Sequence, residues 1–127
     1  MADGKYLAVF YSDKAGPKWQ AWYALSEEER RAKDAIGLPA LEAWDEKHKD
    51  SIVYQGGPLG KTKRVSDDGV ADAVNELTVF VVVRAPSLEA AAQMFEGHPH
   101  ITIFPCHAVE VMPLLGMETD EEGRPKG

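Results

Sequence analysis

Two segments limit what this chain can fold into. Residues 6–11 carry Leu7, Val9 and Tyr11 on one parity and Tyr6, Ala8 and Phe10 on the other. Residues 77–83 do the same, with Leu77, Val79, Val81 and Val83 against Phe80 and Val82. A strand with one wet face alternates apolar and polar residues, so a strand apolar on both parities belongs in the middle of a sheet with both faces covered. The weaker segments 52–54 and 108–112, the latter continuing 101–103 through a bend at Pro105, then read as edges. Pro58, Pro105 and Pro113 sit beside them, where a missing amide is tolerated.

Helical signals fall between these strands. Ser26 and Glu29 form a capping box, in which the hydroxyl accepts from the amide of residue 29 and the carboxylate reaches back, so a helix starts at Ser26. Gly37 is expected to stop or kink it, and Pro39 to open a second piece carrying Leu41, Trp44 and His48 on one face. Gly16 and Pro17 break a loop over 13–17. Pro86 and Ser87 open a second helix over 88–96, closed by Gly97. The polar stretch 56–76, with a turn signal at Asp68 and Gly69, reads as an extended hairpin or a mobile loop.

The resulting order is β, α in two pieces, β, β, α, β. This predicts an α+β chain with a ferredoxin-like βαββαβ core and a four-stranded antiparallel sheet, strands 1 and 3 central. Two helices cover one face of such a sheet. The second apolar face needs another cover, and a second copy of the chain is the simplest, so a homodimer is expected.

Composition narrows the function. At 127 residues the chain is one domain, assigned to 1–116, and it needs no disulfide or metal to hold a core. Residues 118–127 contain no apolar residue, so 117–127 is expected to be an acidic, disordered tail. The single cysteine, Cys106, excludes an internal disulfide and fits a reducing compartment. With 14 basic and 21 acidic residues the net charge is -7, which opposes nucleic-acid binding. The start of the chain lacks a signal-peptide pattern, and the longest apolar run, 79–83, is far short of a membrane span. A cytoplasmic protein without membrane association is expected.

Several residue groups bear chemistry. Residues 55–62 end in Gly60, Lys61 and Thr62 like a phosphate-binding loop, but Gln55 stands where that motif needs glycine and no helix signal follows, so a strand exit is the better reading. His98 and His100, with His107 or Cys106, offer ligand types for zinc, in a spacing that matches no standard pattern; no metal or cofactor is expected. His98 falls where a helix ends, a position that favours charged imidazole and suits proton transfer, or simply a cap on the last carbonyls. Asp45 and His48, three apart on a helix, are placed to pair as base and orienting carboxylate or as a surface ion pair. Trp19, Trp22 and Tyr23 form an aromatic cluster, read as core or dimer interface ahead of a ligand lining.

The strand 6–11, the Ser26, Glu27 and Glu28 helix start, residues 53–59 with Gly56, Gly57, Pro58 and Leu59, and residues 87–91 together resemble the YCII-related family. So does the ending with His98, Pro99 and residues 109–114. Within that family the chain is most similar to the DGPF-domain branch, over most of residues 5–115. The resemblance implies a dimeric α/β barrel with a cleft between sheet and helices. Function in the family is mostly unassigned. Some members carry a His–Asp pair proposed to be catalytic, but the matching stretch here, residues 38–41, has no histidine. Another member dehydrochlorinates a chlorinated muconolactone, and no residue here carries that activity over. The expectation is a small-molecule cleft serving acid–base chemistry on a small metabolite such as a lactone, with His98 and Asp45 catalytic and Tyr54, Gly57, Pro58 and His100 binding. The alternatives are a non-catalytic ligand-binding or regulatory dimer, and a metal-dependent enzyme using His98, His100 and His107.

Overall fold

The computed structural model describes residues 3–116 and 119–121. The expected tail over 117–127 lies outside these apart from residues 119–121. The elements are β1 (Gly4–Tyr11), α1 (Pro17–Ala24), α2 (Glu27–His48), β2 (Ile52–Pro58), β3 (Thr62–Ser66), β4 (Gly69–Ala73), β5 (Leu77–Ala85), α3 (Leu88–Gln93), α4 (Pro99–Thr102) and β6 (Ala108–Pro113). β2, β5, β1 and β6 form one sheet in that order, and β3 with β4 forms a separate ribbon. Every pairing is antiparallel. The two doubly apolar segments are the central strands, as their composition requires. The fold is α+β and ferredoxin-like, with the ribbon inserted between the second and third core strands.

Register decides which side chains meet the helices. Tyr6 lies opposite Val83 and Ala8 opposite Val81 on β5, while Ala8 faces Val111 and Phe10 faces Val109 on β6. This parity forms the buried cluster with Ala85, Ala91, Phe95 and Cys106. The other parity (Leu7, Val9, Tyr11, Phe80, Val82 and Met112) turns to the opposite side of the sheet. There Met112 keeps 38% of its surface exposed and Tyr54 61%. No helix among the described residues is long and apolar enough to cross a membrane.

Three expectations about local structure change. First, neither Gly37 nor Pro39 divides the helix, since α2 runs unbroken over 22 residues. Gly37 is buried for a packing reason: a Cβ there would stand 2.4 Å from Cζ of Phe104. Pro39 gives up one backbone donor and is accommodated within the helix. Second, Pro17 does not prolong a loop but opens α1 at the first turn, where its missing N–H costs nothing. Third, residues 101–103 are not strand. Pro99 starts α4, so the fourth core strand is β6 alone. The stretch 56–76 is a hairpin, with Gly69 at φ 103° in its turn.

The local caps follow the sequence. Ser26 and Glu29 make both capping-box bonds, at 3.0 and 2.9 Å. The hydroxyl of Ser87 accepts from the Ala90 amide at 3.0 Å to start α3. β2 is irregular, its register slipping between Ile52 and Tyr54 and again between Tyr54 and Gly57. Gly56 allows the second slip, with φ 62° and a backbone so close to β5 that a Cβ would lie 2.2 Å from the Phe80 carbonyl oxygen.

Candidate functional site

The turn from α3 into α4 carries most of the candidate chemistry. Gly97, at φ 69°, reverses the chain after α3, and His98 follows as the N-cap of α4. The His98 Nδ1 accepts from the His100 backbone N–H at 3.1 Å. This replaces the expected role of capping the preceding helix. It also fixes the tautomer, because an accepting Nδ1 places the single proton of a neutral imidazole on Nε2.

The surroundings of His98 are aromatic. Phe10 of β1 and Trp44 of α2 each present a ring 4.8 Å away, and Phe95 lies at 6.0 Å. The imidazole of His100 stacks on that of His98 at 5.2 Å with 13° between planes. Phe104 closes the far side of His100 at 5.8 Å. Trp44 is held by its own N–H, which donates to the Met94 carbonyl at 3.0 Å. The His48 ring lies on the other side of Trp44 at 4.4 Å.

Burial sets the protonation of this group. His98 is 4% exposed. Loss of solvation first, and then repulsion from His100 and His48, push its pKa down to about 3. The sequence expectation of a charge-favouring position is therefore reversed: the site holds neutral imidazole. Burial also lowers His100, but the Asp45 carboxylate works against that and favours the protonated ring. His48 is lowered by burial and by Lys47. A proton entering the stacked pair therefore goes to His100.

The predicted residues separate into two groups. His98 and His100 stack at the start of α4, and Asp45 on α2 acts on the charge of His100. Asp45 does not hydrogen-bond His48; it accepts a 3.5 Å bond from Nε2 of Gln55 on β2. Pro58, Val79 and Phe10 form one row across the sheet, which puts Pro58 on the imidazole side at the sheet edge. Tyr54 stacks on Phe80 at 5.9 Å on the opposite face, and Gly57 pairs with Phe80 there, so neither reaches the imidazoles. Trp22 touches the rim through Phe104 at 6.0 Å, whereas Trp19 pairs with Tyr23 at 5.2 Å. No residue of α1 is buried, so that cluster is not core.

Sequence reasoning missed Gln55, Phe10, Phe95 and Phe104. The two glycines after Gln55 were the local sign that β2 is irregular there.

The zinc ligand types are not gathered. The Sγ of Cys106 donates to the Tyr11 carbonyl at 3.0 Å, and Nδ1 of His107 accepts from the Asp13 amide at 3.2 Å. Among the described residues no three of His, Cys, Asp and Glu stand close enough to hold a metal ion. Lys61 and Thr62 enter β3 rather than a helix, so the phosphate-loop reading has no cradle of amides.

Solvent-open grooves border several elements. One, of about 340 Å³, lies between α2 and β2 and is lined by Asp45, Gln55, Ile52, Glu42, Glu46 and Lys49. Another, about 1130 Å³, separates the ribbon from the β1–α1 loop, and a third, about 350 Å³, lies between α3 and β6 and is lined by Phe95, Gly97 and Ile101 on either side of His98. No histidine lines any of the three, so none of them contains the imidazole pair itself. The groove between α2 and β2 is the one that includes Asp45, whose carboxylate acts on His100.

No family model matches the chain, and no curated protein matches it significantly. Among solved structures it is similar to 5-chloro-2-hydroxyhydroquinone dehydrochlorinase (TftG) from Burkholderia phenoliruptrix AC1100, in complex with 2,5-dihydroxybenzoquinone. The TM-score is 0.52 at 19% sequence identity, covering 91% of this chain and 99% of that one. The two chains share a fold over nearly their whole length.

Proposed function

We propose that this chain is a YCII-related protein of the DGPF type, a cytoplasmic homodimer that performs acid–base chemistry on a small metabolite such as a lactone. The observation that carries the reading is the stacked pair of His98 and His100, one with its tautomer fixed and the other under the influence of Asp45. His98 is too buried and too reluctant a base to move protons at neutral pH. Its Nε2–H is instead a neutral donor suited to a carbonyl oxygen as negative charge develops there. His100 takes the proton from the adjacent carbon, and the Asp45 carboxylate stabilises the imidazolium that forms. Dimerisation is supported by the open apolar sheet face that presents Leu7, Tyr54, Val82 and Met112. The likeness in fold to a dehydrochlorinase with a bound quinone supports a cleft for a small ring compound.

A second reading, a non-catalytic ligand-binding dimer, draws on the 4% exposure of His98 and the shallow groove beside Asp45. One experiment separates the two. The protein is mixed in D₂O with a panel of lactones and 2,5-dihydroxybenzoquinone, and carbon-bound hydrogen exchange is followed by NMR. Catalysis predicts exchange that His100→Asn abolishes and Asp45→Asn slows. Line broadening of a bound compound with no exchange selects the binding module. Exchange that survives His100→Asn rules out the assigned role.

A further inference from the structure

The β3–β4 ribbon stands away from the body of the protein. Among the described residues its strands make extensive contact only with each other. It is exposed on both faces, and Val65, Val70 and Val74 keep 76%, 70% and 93% of their surface in water. Val65 and Val70 pair directly across the ribbon beside its turn, so the apolar surface is concentrated at the tip. A free two-stranded ribbon is marginal in water, and exposed valines on a projecting hairpin mark a contact surface.

We propose that this ribbon is an arm that grips a second copy of the chain, its valine tip packing on the partner's body. This rests on the homodimer reading above and adds to it the element that clasps. Three features favour a second copy as the occupant. The ribbon grows directly out of β2 and β5, two strands of the open apolar face, so the chain itself ties the arm to that face. Five-residue strands rising roughly 3.3 Å per residue give a reach of about 17 Å, more than the ~10 Å between stacked sheets. The arm carries Lys63 and Arg64 against Asp67, Asp68 and Asp72, a net charge of -1 out of the chain's -7. The nearly neutral arm can therefore lie on a like-charged copy with less repulsion than two bodies would feel. In a two-fold dimer both arms act, so each substitution counts twice.

The test is sedimentation equilibrium of the full chain and two surface variants, with folding checked by circular dichroism. Val65→Asp/Val70→Asp strikes the arm, and Tyr54→Lys/Met112→Lys strikes the open face. The arm predicts a wild-type dimer whose Kd rises at least tenfold in the valine variant. It also predicts ribbon amides whose hydrogen exchange slows as protein concentration rises. If the face variant dissociates while the valine variant keeps the wild-type Kd, the dimer stands and the arm is refuted. If the wild-type chain stays monomeric at all concentrations, both the dimer and its arm are lost. Concentration-independent exchange at the ribbon also overturns the proposal, and points to a different partner for the valines.

Discussion

Gly37→Ala tests the packing that holds α4 and its imidazoles against α2. In an exposed helix interior this change stabilises by roughly 1 kcal/mol, because alanine loses less backbone freedom. Here the new methyl would meet Cζ and Cε2 of Phe104 at 2.4 and 2.6 Å and Cγ2 of Ile103 at 3.1 Å. Carbon atoms rest about 3.5–4.0 Å apart, so the ring end must retreat by about 1 Å. Overpacking of this kind costs typically about 1–3 kcal/mol, which outweighs the propensity gain and leaves the variant about 1 kcal/mol less stable. Phe104 retreats toward Trp22 or His100, so the His100 resonances should move as well. Urea denaturation measures the change as a lower midpoint at constant slope. The control is a double-mutant cycle with Phe104→Ala. With the ring gone, Gly37→Ala should become stabilising by about 1 kcal/mol, giving a coupling of about 2 kcal/mol. A Gly37→Ala protein that is more stable on its own, with additive behaviour in the cycle, would refute the account of why glycine occupies this helix.

Three further outcomes follow from the same physical chemistry. The pKa of His98 falls from an unfolded value near 6.5 to about 3, so the unfolded chain binds the extra proton. Its contribution is complete above pH ~6.5 and is lost as the pH falls toward 3, at most about 2 kcal/mol by pH 5. Urea midpoints at pH 7 and pH 5 should diverge less in His98→Asn, which retains a helix cap, than in the wild type. Ser26→Ala, which removes the hydroxyl capping Glu29 N–H, should lower stability at pH 7 by about 1 kcal/mol in the same assay. Cys106 is 4% exposed and burial raises its thiol pKa. The folded protein should therefore react with a thiol reagent far more slowly than the protein in urea.

The fold was legible where one strand or one turn decides its own structure. Tyr6, Ala8 and Phe10 against Leu7, Val9 and Tyr11 placed β1 in the sheet centre, and the Ser26 and Glu29 pair located the start of α2. The Asp68 and Gly69 turn marked the ribbon. It was illegible where a distant contact overrides the local signal. Gly37 looks like a helix stop until Phe104 is packed on it. Ile101 and Thr102 look like strand until His98 and Pro99 are seen to start a helix. The candidate site behaves likewise. His98, His100 and Asp45 announce themselves by residue type, but Asp45 approaches His100 only through the packing of α4 on α2. The charge state of His98 depends on Phe10, Trp44 and Phe95, which come from three separate elements. The face that Tyr54 and Gly57 occupy was not legible, because the slips in β2 are set by its pairing with β5.

The central claim is that His98 is a fixed neutral donor and His100 the group that carries the proton. It is tested most directly by long-range ¹H–¹⁵N NMR of the imidazoles from pH 5 to 9, in wild type and Asp45→Asn. The account predicts that His98 keeps the Nε2–H tautomer across the whole range. It predicts that His100 titrates below its ordinary value and moves lower still when the Asp45 charge is removed. A His98 that titrates near 6.5, or a His100 indifferent to Asp45, would contradict it.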